Sequence, residues 1–144
     1  MSLKPGTEYF SDVCLEVLGP WFEERGFTSL DAYCSSTMVA YRRLRTFMRV
    51  SYWPSDAPNF TLMVGLGELK EGWGLFGPRK PLLHGMGLWE LIKADADRAV
   101  LRQPFHDREE LGSLLGQVRD RTFRYAEDIL GEPQRLNRAI RRKA

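Results

Sequence analysis

Residues 72–77, Gly72-Trp73-Gly74-Leu75-Phe76-Gly77, spell G-x-G-x-x-G. In a dinucleotide-binding turn this spacing brings the backbone against a pyrophosphate. That chemistry needs a parallel strand ending at the first glycine and a helix opening directly after the last, its N-terminus facing the phosphates. Here Glu68-Leu69-Lys70-Glu71 separates Gly72 from the preceding strand pattern, and Pro78 and Pro81 follow with no amphipathic stretch. The phosphate-loop spacing is missing too, since Gly77 runs into Pro78-Arg79-Lys80. Residues 72–89 therefore read as a flexible, glycine-rich connection between a sheet and helices. Trp73, Phe76 and Trp89 are its expected anchors, and Arg79 and Lys80 are placed to meet a partner.

The remaining chemistry-bearing residues are few. His84 and His106 are the only histidines, and Cys14 and Cys34 the only cysteines. None forms a local ligand pair such as C-x-x-C or H-x-x-x-H, so no metal site is expected. Two cysteines do not make a disulfide framework, and both read as buried reduced thiols. Ser35-Ser36 lacks the strand–turn–helix context of a nucleophile elbow. Asp95 and Asp97 stand two apart in a helical pattern and so point to different sides. Glu127-Asp128 read as solvated neighbours. No catalytic residue and no cofactor follow from this inventory, and the chain reads as non-catalytic.

A different signal lies between Asp31 and Asp56, where there is no acid but Arg42, Arg43, Arg45 and Arg49 all occur. Strand alternation puts Met48, Val50 and Tyr52 on one face and Phe47, Arg49, Ser51 and Trp53 on the other. With the first set toward helices, the second faces outward. Arginine beside aromatics is the composition of interaction hot spots, and it equally fits a solvated face with arginine stems lying over the rings. Arg43, Phe47, Arg49, Trp53, Arg79 and Lys80 are the candidate partner-binding residues. Residues 45–52 also match an RNA-recognition strand in part, through Arg45, Phe47, Val50 and Tyr52.

The elements that must position these residues follow from periodicity. Phe10, Val13, Cys14, Val17, Leu18, Trp21 and Phe22 form a helical stripe, kinked at Gly19-Pro20 and stopped at Gly26. Four strands are expected over Phe27–Ser35, Thr37–Arg43, Thr46–Trp53 and Asn59–Gly67. A tight turn at Leu44-Arg45 joins the middle pair. No helix fits between these strands, so they form an antiparallel meander. Leu88–Leu101 reads as a helix, and a longer one starts after Asp107, an N-cap with Glu110 three residues on. That helix carries Leu111, Leu114, Leu115, Val118, Thr122, Tyr125, Ile129 and Leu130, and stops at Gly131 and Pro133. The order predicts an α+β fold: an N-terminal helix, a four-stranded antiparallel meander, then C-terminal helices packed on one sheet face.

The 144 residues, 43% hydrophobic and 28% charged, fit one globular domain over 1–144 with a basic tail at 134–144. The tail carries Arg135, Arg138, Arg141, Arg142 and Lys143. Taking these five from the 21 basic residues leaves 16 against 19 acidic ones, so the body is not that of a polyanion binder. No signal-peptide run and no 18-residue apolar stretch occur, so a cytoplasmic protein that does not enter the membrane is expected.

In layout the chain resembles a type of small bacterial α+β protein. The likeness rests on the Glu24-Arg25-Gly26-Phe27 turn, on Val39-Ala40-Tyr41 facing Met48-Arg49-Val50, and on a late helix ending Tyr125-Ala126-Glu127-Asp128-Ile129-Leu130-Gly131. Some proteins of that layout are immunity proteins, which neutralise a toxin by binding it. The resemblance implies a binding role and carries no site residues. The leading expectation is a protein-binding module whose partner is a toxin. The alternatives are a nucleic-acid-binding accessory protein using Phe47, Arg49 and the tail, and a small-ligand protein or minor enzyme with a pocket between sheet and helices.

Overall fold

The stripe beginning at Phe10 folds as α1 (Phe10–Glu24), one continuous helix with Pro20 inside it. In this computed structural model the described residues are 5–74 and 77–143, with the backbone alone for 71–74, 77–80 and 143. Gly26, at φ 80°, ends the helix as expected. Its N–H donates to Glu23 O (3.1 Å) and the Phe27 N–H to Phe22 O (2.9 Å), the paired bonds of a Schellman stop.

The meander has five strands, not four. It consists of β1 (Thr28–Ser29), β2 (Met38–Arg43), β3 (Thr46–Ser51), β5 (Met63–Gly74) and β6 (Gly77–Gly87). All neighbours pair antiparallel in the order β1-β2-β3-β5-β6. Two corrections follow. The first expected strand shrinks to two residues and a 3-10 turn at Asp31–Tyr33. The glycine-rich stretch expected to be a flexible connection is instead the end of β5 and all of β6, with Gly74 opposite Gly77. Leu75 and Phe76 lie outside the described residues, as do the side chains of Trp73, Arg79 and Lys80.

Glycine hides this hairpin because it has poor strand propensity and no side chain to show alternation. In space the reason for it is visible: a Cβ at Gly67 would overlap the His84 carbonyl and Gly85, and one at Gly85 would overlap the Leu66 carbonyl. The two strands approach too closely there for any other residue.

The fourth expected strand also splits. Phe60–Thr61 (β4) peels off to pair with Pro104–Phe105 (β7), and Met63 onward joins the main sheet. Of the expected helix at Leu88–Leu101, only a 3-10 turn (Leu88–Leu91) and α2 (Asp95–Val100) form. The long helix breaks at Thr122 into α3 (Arg108–Arg121) and α4 (Phe123–Leu130), where the Thr122 hydroxyl bonds back to Val118 O. Asp107 caps α3 by accepting from the Glu110 N–H at 2.9 Å. The basic stretch is a helix, α5 (Pro133–Lys143), because Leu136 and Ile140 bury one side of it.

The helices cover one face of the sheet. The core there joins Phe10, Leu18 and Phe22 of α1 to Val39 and Tyr41 of β2, Met48 and Val50 of β3, and Leu66 of β5. Leu111, Leu115, Phe123, Leu136 and Ile140 close it from the C-terminal helices. Phe22 stacks on Tyr41, their ring centroids 4.0 Å apart and 11° from parallel.

Candidate functional site

The register sets what the other face carries. Arg49 lies opposite Ala40 on β2 and Gly65 on β5, and Ser51 opposite Met38 and Met63. Gly65 in turn lies opposite Gly87, and Gly67 opposite Gly85. Paired residues share a face, so four glycines stand together on the side away from the helices, beside Phe47 and Arg49.

One half of this back face is covered. Leu30 packs with Ala40 and Phe47, and Tyr33, Leu69 and Leu83 pack around that cluster. Tyr33 donates its hydroxyl to Pro81 O at 2.5 Å, tying the β1–β2 connection to the far edge strand. Phe47 therefore lies on the expected face but is only 2% exposed. It packs in the small core under the connecting segment and also borders the open half of this face. Tyr52 is buried on the opposite face, its hydroxyl donating to Pro5 O. The base-stacking role that the partial RNA-recognition match suggested is thus closed to both rings.

The other half is open and forms a groove of about 640 Å³. Gly65, Gly85 and Gly87 line it with Arg49, Trp53, Met63, Trp89 and Arg102. Trp53 is 59% and Trp89 49% exposed. The Trp53 Nε1–H lies 3.1 Å from the Met63 Sδ. A Cβ at Gly65 would stand 3.1 Å from Arg49 Nε, and one at Gly87 would stand 2.9 Å from Trp89 Cδ1. Arg49 and Trp89 thus lie down over glycines from two sides. The Arg98 guanidinium sits 5.5 Å from the centroid of the Trp89 ring.

Charge in the groove is one-sided. No carboxylate lines it, and neither Arg49 nor Arg102 has an ion pair or side-chain hydrogen bond among the described residues. Other arginines do have partners: Arg121 and Arg124 meet Asp97, Arg119 meets Asp120, and Arg135 meets Asp128 at 2.7 Å.

The sequence candidates are only partly brought together. Arg49, Trp53 and the nearly buried Phe47 all border the groove. Arg43 faces the helix side, stacked on Phe27 (4.7 Å) and donating to Arg25 O at 3.1 Å. The side chains of Arg79 and Lys80 lie outside the described residues. Sequence reasoning missed Arg102, Met63 and the groove role of Trp89. The available signal was glycine at alternate positions, 65 and 67 in one strand and 85 and 87 in the next.

Other polar clusters have structural work. His106 bridges Glu110 (3.1 Å) and Asn59 (2.5 Å), joining the β4 and β7 segments to the start of α3. Cys14 is buried in α1, where burial pushes its thiol up, whereas Cys34 is exposed, contrary to the expectation of two buried thiols. The groove just described lies on the face away from the helices, whereas the pocket expected from the sequence was between sheet and helices, where Met86 of β6, Ile129 of α4 and Ala139 of α5 line a second groove. This smaller groove, of about 510 Å³, has Lys93, Arg138 and Arg142 in its lining together with Glu90.

Among the described residues no helix is long and apolar enough to cross a membrane. Comparison with protein-family models, curated proteins and solved structures finds no match to this chain.

Proposed function

We propose that the chain is a non-catalytic binding protein that receives part of a protein partner in the back-face groove. One observation carries the reading: two arginines without partners among the described residues and three exposed large apolar side chains (Trp53, Met63, Trp89) line a concave surface with no acid among its described residues. Desolvated tryptophan and arginine are the residues on which interface energy concentrates. A nucleic-acid reading is weaker because Phe47, its stacking residue, is buried. The layout's similarity to immunity-type proteins makes a toxin the first partner to test.

The test is capture of a partner by tagged protein from native lysate after nuclease treatment, followed by titration of the purified pair. Arg49→Ala and Trp53→Ala should each cost ~2 kcal/mol or more of binding, roughly thirtyfold in Kd. Unfolding stability should stay within about 0.5 kcal/mol, as for exposed positions generally. Normal binding by both variants would remove the groove from the function. Capture that collapses with nuclease would replace the protein partner with nucleic acid.

A further inference from the structure

We infer that the groove recognises an aromatic side chain with a carboxylate beside it, presented by the partner; this rests on the binding reading above and specifies its chemistry. The aromatic part follows from shape and surface. The Gly65–Gly87 and Gly67–Gly85 register removes side chains from four adjoining positions. Of these, Gly65, Gly85 and Gly87 line the groove, and the Arg49, Phe47 and Trp89 side chains lie against them, so its floor is backbone overlain by two rings and a guanidinium. An indole stands at either side: Trp53 against the Met63 thioether, and Trp89 against Gly87. Ring faces, ring edges and a polarisable sulfur favour an aromatic guest over an aliphatic one.

The carboxylate follows from charge. Arg49 and Arg102 line the same groove, no acid in the lining answers them, and neither is ion-paired among the described residues. A guanidinium offers a planar fork of donors that matches a carboxylate with two parallel hydrogen bonds. Arg49 reaches over Gly65, within 3.1 Å of where a Cβ would stand. The cation and the rings that overlie the glycines are therefore adjacent, and one guest residue or two neighbouring ones can meet both. The guest's negative charge would be met by arginines that give up no existing ion pair to receive it.

The experiment uses the full chain and 8-anilinonaphthalene-1-sulfonate, a fluorescent aromatic anion, displaced by three competitors: N-acetyltryptophan, its uncharged amide, and adenosine monophosphate. The expected result is saturable one-to-one binding of the dye. N-acetyltryptophan should displace it at about tenfold lower concentration than the amide, the scale of a hydrogen bond to a charged group. Arg49→Gln should abolish that difference, and Gly65→Val, which fills the floor, should weaken dye and both tryptophan competitors alike. Thermal unfolding of each variant confirms that it is folded.

No saturable dye binding, or binding unchanged in both variants, overturns the inference. Displacement by adenosine monophosphate tenfold better than by N-acetyltryptophan also overturns it, in favour of a nucleotide. The two readings separate cleanly. If the dye behaves as expected while partner capture is indifferent to Arg49→Ala, the groove chemistry stands and the protein-partner reading fails. If capture depends on Arg49 while N-acetyltryptophan and its amide compete equally, the binding face stands and the carboxylate is wrong.

Discussion

The two faces of the sheet are built from alternate residues of the same strands, yet they are opposite in kind. Toward the helices, Met48, Leu66 and Met86 sit side by side and are buried, with Phe22, Leu115 and Phe123 packed in the same core. One residue along each strand, Arg49, Gly65 and Gly87 sit side by side on the other face and border open space. The difference teaches where each face gets its specification. The helix face is specified by volume, since packing at crystal-like density makes each large side chain matter. The back face is specified by the absence of side chains. Glycine inside a strand weakens it, and such a cluster persists where backbone or another group must come close. Gly67 and Gly85 answer that need within the fold, as their close approach shows. At Gly65 the nearest atoms to a Cβ are those of the Arg49 side chain and the Met86 carbonyl, so a side chain there would meet a movable group first.

The largest expected effect breaks the helix face. Phe22→Ala removes a fully buried ring stacked on Tyr41 and should cost ~3–5 kcal/mol in urea unfolding, with a cavity left in the core. A loss under about 1 kcal/mol would mean that the helix layer is not the stabilising one. Next comes the back face. Gly67→Ala forces a methyl into the His84 carbonyl and should cost ~1–3 kcal/mol. Gly65→Ala displaces only the exposed Arg49 side chain and should cost clearly less. Equal costs would erase the distinction drawn above between a glycine held against backbone and one beside a movable side chain.

Legibility in the sequence divides along the same line. The helix face was readable because bulky residues recur with a period: the α1 stripe, the β3 alternation and the Asp107 cap all formed as the pattern requires. The phase of β3 was readable as well, so Arg49 and Trp53 were placed on the side where the groove lies. What failed was whatever glycine carries. A strand such as Gly77–Gly87, with glycines at 77, 85 and 87 and prolines at 78 and 81, shows no alternation and reads as a loop. Its pairing is a long-range fact, set by close approach to β5. The burial of Phe47 was hidden for a related reason. Outward phase follows from local spacing, but the Leu30–Tyr33 cover comes from a connection whose path no period encodes. Arg102 reaches the groove from the turn after α2, which places it by tertiary packing alone.

The smallest effect separates the faces by pH. In the helix layer, Asp97 on α2 accepts from the Tyr125 hydroxyl (2.8 Å), from Arg124 (2.8 Å) and from Arg121 (3.1 Å). The Tyr125 hydrogen bond foremost, then those of the two guanidiniums, hold its carboxyl below the usual range. A carboxyl lowered in the folded state contributes stability in full above its unfolded value of about 3.9. That contribution is lost as pH falls through the lowered folded value. Asp97→Asn should therefore be less stable than the wild type near neutrality, and the gap should close in acid. Unfolding curves at a series of pH values would show it; a gap that stays constant, or widens in acid, would mean that the network holds the helices without a charge on Asp97. Arg49 and Arg102 line the back-face groove, and no carboxyl is among its described lining residues. Any loss of groove binding in acid would then report the guest's carboxylate, and it should survive unchanged in Asp97→Asn as long as the protein is folded. The pH at which helix-layer stability falls and the pH at which binding falls are thus two separate readouts, one for each face of the sheet.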